Sequence, residues 1–464
     1  MKTILYGFAL CWLILSTGCS PQKPNIIIFL ADDLGYADLG SYGCDDIKTP
    51  NIDKLSEQGV RFTNFYANGP ECTPTRTALL SGYYQQRIGG LECAIGAGNV
   101  GRYPEAQWLS ERKEHGLPPE YATLPFSLKE AGYTTAIFGK WHLGYEEKFR
   151  PNNNGFDYSF GPIGYGGDYF YHVEQDPINQ DDFDGAHSLA QNGQEIFRDG
   201  EYMTDLITEE AIEWIKIQDK KKPFFAFLTY TSPHTPFQGP EDDLGRPLQG
   251  EEWTFRNREI YIEMVEAMDK GIGKILALTK EIQLDEKTIV IFFSDNGGTR
   301  ISNNGPLRGI KGQVYEGGIR VPCIIRWPGN IPEHTVSHQS SLSFDLTRSI
   351  LELIGTNSEE LNLDGYDIID HVTQNTVDFE RTMYWRLKRS PRVRKAVRDG
   401  NYKYIIELDS GKVFREHLFN LENDLAEQND LLVLMPDKVD SLREKIARWE
   451  EEVKAPRLEE YYNK

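Results

Sequence analysis

Three stretches of this chain, residues 25–30, 223–230 and 288–294, are apolar almost without interruption over the length of a β-strand. A strand with one face in water alternates apolar and polar side chains, and these do not, so they predict strands buried on both faces. Such strands need helices on each side of their sheet. Residues 133–138 supply a fourth candidate. Helix signals lie between: Thr49-Pro50 opens a segment with apolar Ile52 and Leu55 that Gly59 closes, and a long helix is predicted over about 254–280. The fold class is therefore α/β, a large mixed and mostly parallel sheet sandwiched by helices. At 464 residues the chain is long for one core, so a smaller second unit is expected. After about residue 370 the pattern changes to short strand-like runs, with Asp399-Gly400 as a hairpin turn and a helix over 437–454. This predicts a small antiparallel sheet with a helix.

The residues with chemistry to offer follow the predicted strands. Asp32 and Asp33 come after the first, Lys140 and His142 after the run at 133–138, His234 after the run at 223–230, and Asp295 and Asn296 after the last. Ligands of open α/β sheets gather outside the carboxyl ends of the strands, so residues far apart in sequence are expected in one crevice. Asp32, Asp33, Asp295 and the Asn296 amide form an all-oxygen set suited to a hard divalent cation. Cys72-Thr73-Pro74-Thr75-Arg76, followed by Leu79-Leu80-Ser81-Gly82, has proline in a first helical turn and glycine past the last apolar residue. Cys72 is thus predicted at the positive end of a short helix, a place for an anion.

That pentapeptide resembles the signature of type I sulfatases of the alkaline phosphatase superfamily. Gly132-Tyr133-Thr134-Thr135-Ala136-Ile137-Phe138-Gly139-Lys140-Trp141-His142-Leu143-Gly144 resembles the second signature of that family. Asp32-Asp33, Ser294-Asp295-Asn296-Gly297-Gly298 and Leu307-Arg308-Gly309-Ile310-Lys311-Gly312 match further blocks, and the likeness runs over about 24–430. Thr75 departs from the more usual serine or alanine. The resemblance implies that a formylglycine-generating enzyme converts Cys72 to formylglycine, whose hydrate is the nucleophile. It implies a metal, calcium first and magnesium second, held by Asp32, Asp33, Asp295, Asn296 and the modified Cys72. It further implies that Arg76 stabilises the nucleophile and Asp295 helps take its proton. Lys140, Lys311 and His234 would bind sulfate, His234 would protonate the leaving alcohol, and His142 would act as base when sulfate is expelled. The implied activity is hydrolysis of sulfate esters of a glycan. A phosphodiester or phosphonate monoester hydrolase of the same superfamily is the alternative, and a noncatalytic glycan-binding lipoprotein is one of another class.

Lys2 and the apolar run at 4–15 form a signal-peptide core too short to span a bilayer. Leu15-Ser16-Thr17-Gly18-Cys19-Ser20 reads like a bacterial lipobox. The expected organisation is a signal peptide at 1–18, a catalytic domain at 19–370 and a carboxy-terminal α+β unit at 371–464. The protein is expected at the periplasm or cell surface, its membrane contact a lipid anchor on Cys19. Cys44, Cys93 and Cys323 permit one disulfide that spacing does not decide. A formal charge of −21 excludes nucleic acid as a partner. The segments 91–121, 152–200 and 238–252, rich in glycine, aromatic and polar residues, are expected as loops walling the substrate pocket, with His172 a candidate sugar contact. The basic run at 386–398 is expected as a solvated strand pair.

Overall fold

The computed structural model describes residues 23–173, 188–356 and 359–463. Ten strands form one sheet in the order Thr335–Ser337, Val60–Phe62, Cys323–Arg326, Thr288–Ser294, Asn25–Ala31, Phe224–Thr229, Thr134–Gly139, Tyr158–Pro162, Leu189–Gln191 and Gln194–Glu195. The five from Thr288–Ser294 to Tyr158–Pro162 run parallel. Cys323–Arg326 is antiparallel to both of its neighbours.

The uninterrupted apolar runs sit at the centre for the reason their composition demands. Ile27, Phe29 and Ala31 of the first strand pack into the core on one face, while Ile26, Ile28 and Leu30 pack into the core on the other. The Phe224–Thr229 strand divides the same way, Phe224, Ala226 and Leu228 against Phe225 and Phe227. Helices Met203–Lys216 and Arg258–Glu281 cover one face, whereas Cys72–Ser81, Thr123–Glu130 and Ser343–Leu353 contribute to the other.

The segment 152–200 departs from the expected loop. It carries Tyr158–Pro162, Leu189–Gln191 and Gln194–Glu195, which extend the sheet to its edge. The strands are 5, 3 and 2 residues long, too short to show a period. Cys19 and the lipobox lie outside the described residues. Cys44, Cys93 and Cys323 are buried free thiols.

Thr382–Arg389, Arg392–Asp399, Tyr402–Asp409 and Lys412–Asn420 form a separate antiparallel sheet. Helix Pro436–Glu452 packs Val439, Leu442 and Ile446 on it. The basic run is a strand pair, solvated at its turn, where Arg389 and Arg392 are exposed, but not at its two ends. Arg386 and Arg398 are buried, and Arg386 pairs with Glu92 and Glu450 while Lys388 pairs with Glu105. Through Glu92 and Glu105, each more than 280 residues away, these cations fasten the small sheet to the large unit.

Candidate active site

All four parallel strands that precede the marked residues end at one crevice. The first turns sharply after Ala31, with Asp33 at φ 68°, and His142 takes φ 57° three residues past its strand. A side chain with a Cβ adopts such values at a cost of about 1–3 kcal/mol, which packing around the site must supply. Two glycines permit close approach. A Cβ on Gly139 would lie 2.0 Å from the Thr229 carbonyl oxygen, and one on Gly297 2.0 Å from that of Gly317, where the loop bearing Lys311 returns.

Cys72 is the first residue of helix Cys72–Ser81, all ten residues of which are buried. The helix ends at Gly82 in the left-handed conformation, its N–H bonded to the Ala78 carbonyl. The Cys72 sulfur lies 3.3 Å from Asp32 Oδ1, 3.4 Å from Lys140 Nζ and 3.6 Å from Lys311 Nζ. Burial, then the Asp32 carboxylate, push the thiol well above its ordinary pKa. The unmodified cysteine is therefore a neutral thiol, poorly suited to attack.

Charges of both signs surround it. Lys140 Nζ meets Asp32 Oδ2 at 2.6 Å, Lys311 Nζ meets Asp33 Oδ1 at 2.7 Å, and Arg76 Nε and Nη2 both reach Asp295 Oδ2 at 2.9 Å. Arg76 thus fixes Asp295, and its Nη1 also donates to the Lys140 carbonyl at 2.7 Å. Burial opposes ionisation of Asp32, yet Lys140, His234, Arg76 and Lys311 together hold its carboxyl well below the usual range. Asp295 moves the other way: burial, then the charge on Asp32, raise it to about 7. Two neighbouring carboxylates are thereby pushed apart, the condition for one to bind charge and the other to carry a proton.

Hydrogen bonds fix the two imidazoles. His142 is buried, its Nε2 2.8 Å from the Ile95 carbonyl, so Nε2 carries the proton and Nδ1 keeps its lone pair. Nδ1 has no partner among the described residues. Burial, then Lys140, hold this ring far below the ordinary histidine pKa. His234 is arranged in the opposite sense. Its Nδ1 donates to the Thr235 carbonyl, and its Nε2 faces Asp33 Oδ2 at 3.8 Å. Burial, then Lys311, lower its pKa to about 4.

A metal would suit this crevice. Donor atoms of Asp32, Asp33, Cys72 and His234 all lie within 4.8 Å of one another. Asn296 Nδ2 donates to Asp33 Oδ1 at 2.8 Å while its buried Oδ1 has no partner among the described residues, an oxygen placed for a cation. Three carboxylates stand against Arg76, Lys140 and Lys311, so a divalent cation would leave net positive charge for an anionic ester.

The family model for Sulfatase matches residues 24–356, and that for N-sulphoglucosamine sulphohydrolase, C-terminal, matches 310–453. The N-acetylgalactosamine-6-sulfatase of Canis lupus familiaris is 33% identical over 382 residues, covering 80% of this chain and 70% of the relative. The chain belongs to the sulfatase family. This sulfatase, a sulfuric ester hydrolase, also shares its fold with Ps i-CgsB, solved in complex with k-i-k-neocarrahexaose. That match has a TM-score of 0.77 at 31% identity, covering 92% of this chain and 93% of the other. PsFucS1 sulfatase from Pseudoalteromonas sp. matches with a TM-score of 0.71 at 25% identity over 94% and 91% of the two chains.

The residues marked in the sequence as catalytic, sulfate-binding or metal-binding fall in the sulfatase crevice. His172 does not. It is fully buried with Nε2 bonded to the Glu201 carbonyl at 3.0 Å, so it supports a loop and is removed as a sugar contact. Tyr165 was missed: its ring centroid lies 6.3 Å from those of both His142 and His234, and the only signal was an aromatic residue among glycines.

Proposed function

We propose that this sulfatase releases sulfate from a sulfated carbohydrate, using a formylglycine made from Cys72 together with calcium. The observation that carries the reading is Cys72 at a helix N-terminus, with its sulfur in reach of both Lys140 and Lys311. Two relatives support the carbohydrate: one is named for N-acetylgalactosamine 6-sulfate hydrolysis, the other was solved with a neocarrahexaose. Asp32, Asp33, Asp295 and Asn296 would hold the calcium, which supplies Lewis acidity toward sulfate oxygen, and formylglycine supplies a hydroxyl in place of the inert thiol.

The remaining chemistry belongs to the chain. Lys140 and Lys311 bind sulfate oxygens and offset the charge that grows on them in the transition state. Asp295 accepts the proton of the attacking hydroxyl while Arg76 holds its orientation. His142 presents an unprotonated Nδ1 as the base for the second hydroxyl. His234 delivers a proton from Nε2 to the leaving alcohol oxygen. Its resting ring is neutral near pH 7, and the arriving sulfate anion favours the protonated form. Export and anchoring through Cys19 are part of the same proposal, supported by the lipobox-like segment.

A panel of sulfated oligosaccharides and aryl phosphate diesters tests the reading. Sulfate release from at least one glycan, with far slower phosphodiester cleavage, is expected. Faster cleavage of phosphodiesters or phosphonate monoesters than of every sulfate ester would overturn it.

A further inference from the structure

We propose that Tyr165 is the platform on which the sugar ring bearing the sulfate ester stacks; this rests on the glycan reading above. Tyr165 lies just past strand Tyr158–Pro162, the fifth of the parallel set, at the same sheet edge as the site. Its ring centroid is 6.3 Å from that of His142 and 6.3 Å from that of His234, inclined by 53° and 55°. One half-buried aromatic ring therefore lies against both imidazoles.

The loop that carries the ring is held in place by Tyr169. Tyr169 donates its hydroxyl to the Thr231 carbonyl at 2.7 Å and to that of His234 at 3.1 Å, and its N–H bonds to Gln238 Oε1 at 2.8 Å. These bonds lock the segment after the fifth strand to the turn that carries His234. The neighbours Gly164, Gly166 and Gly167 add no side chains around Tyr165, and Gly166 takes φ +111° with a Cβ position 3.6 Å from Thr231 Cγ2. An aromatic face matches a pyranose, which offers C–H bonds on one of its own faces. Inorganic sulfate, by contrast, needs the lysines and gains nothing from a ring.

The test uses the full chain with 4- and 6-sulfates of galactose and N-acetylgalactosamine as substrates, ethyl sulfate as a ringless ester, and inorganic sulfate as inhibitor. Tyr165→Ala should lower kcat/KM on the sugar sulfates roughly tenfold, mainly through KM, while the sulfate inhibition constant and melting temperature stay unchanged. Tyr165→Leu, which keeps bulk without an aromatic face, should behave like Tyr165→Ala, and Tyr165→Phe should retain activity. Unchanged turnover in Tyr165→Ala would overturn the assignment. So would an equal loss in sulfate inhibition, which would mean that the ring only supports the histidines. Hydrolysis of ethyl sulfate but of no sugar sulfate by the unmutated protein would end the glycan reading, and the stacking role with it, before any variant is compared.

Discussion

Lys403 offers the sharpest test of how the small sheet supports the site. Its ammonium is fully buried, 2.8 Å from Glu316 Oε1 and 2.9 Å from Glu427 Oε1, both carboxylates also without exposure. Glu316 keeps further partners in Arg320 and the Tyr66 hydroxyl, but Glu427 depends on Lys403 for its counter-charge. Lys403→Met therefore leaves one buried carboxylate exposed to its full desolvation cost, about 3–5 kcal/mol. An unfolding entropy of ~2.1 cal/mol/K per residue gives ~1 kcal/mol/K for this chain, so Tm should fall by roughly 3–5 °C. The deficit has a pH signature. Burial, then repulsion by Glu316, raise Glu427 from 4.5 to about 7 despite Lys403, so the native state holds that proton more tightly than the unfolded chain. Stability from this group is complete below about 4.5 and is lost as pH rises toward about 7. Without Lys403 the loss continues above 7, by up to about 1.4 kcal/mol per pH unit. Melting curves at pH 6 and 8 should show a larger deficit at the higher pH, and Lys403→Met with Glu427→Gln should recover most of it. A variant that melts with the unmutated protein at both pH values, or a double variant no better than the single, would refute the reasoning.

Other parts of the account yield direct outcomes. His234→Ala should slow a sugar sulfate by roughly 100-fold or more and an activated aryl sulfate far less, because only the poor leaving group needs a proton; equal losses would reassign His234 to sulfate binding. Lys311→Ala touches the sulfate itself and should slow both substrates alike. Chelation should abolish turnover, with calcium restoring it best, and Asp33→Ala or Asp295→Ala should lose metal and activity together; full activity after exhaustive dialysis against chelator contradicts the site. Cys19→Ser should move the protein from the membrane fraction to the soluble fraction, whereas an unchanged distribution would remove the anchor.

The sheet was legible because its central strands are buried on both faces, which leaves an unbroken apolar record in the sequence. Asp32, Asp33, Asp295 and Asn296 were legible because they follow those strands, and Lys311 because its block resembles a known one. The outer strands Tyr158–Pro162 and Leu189–Gln191 were not, since strands of 5 and 3 residues carry too little period to detect. The basic run misled for a different reason. Whether Arg386 is solvated depends on Glu92, 294 positions earlier, and no local pattern reports a partner at that distance. Tyr165 escaped in the same way, because its meaning comes from His142 and His234 on other strands.

The central claim is that the nucleophile arises from Cys72, and the peptide containing it decides the matter. In active protein, mass spectrometry should find the Cys72 side chain converted from a thiol-bearing methylene to an aldehyde, and Cys72→Ser, made in the same cells, should release almost no sulfate. Full activity from protein whose Cys72 is an unmodified thiol would contradict the account.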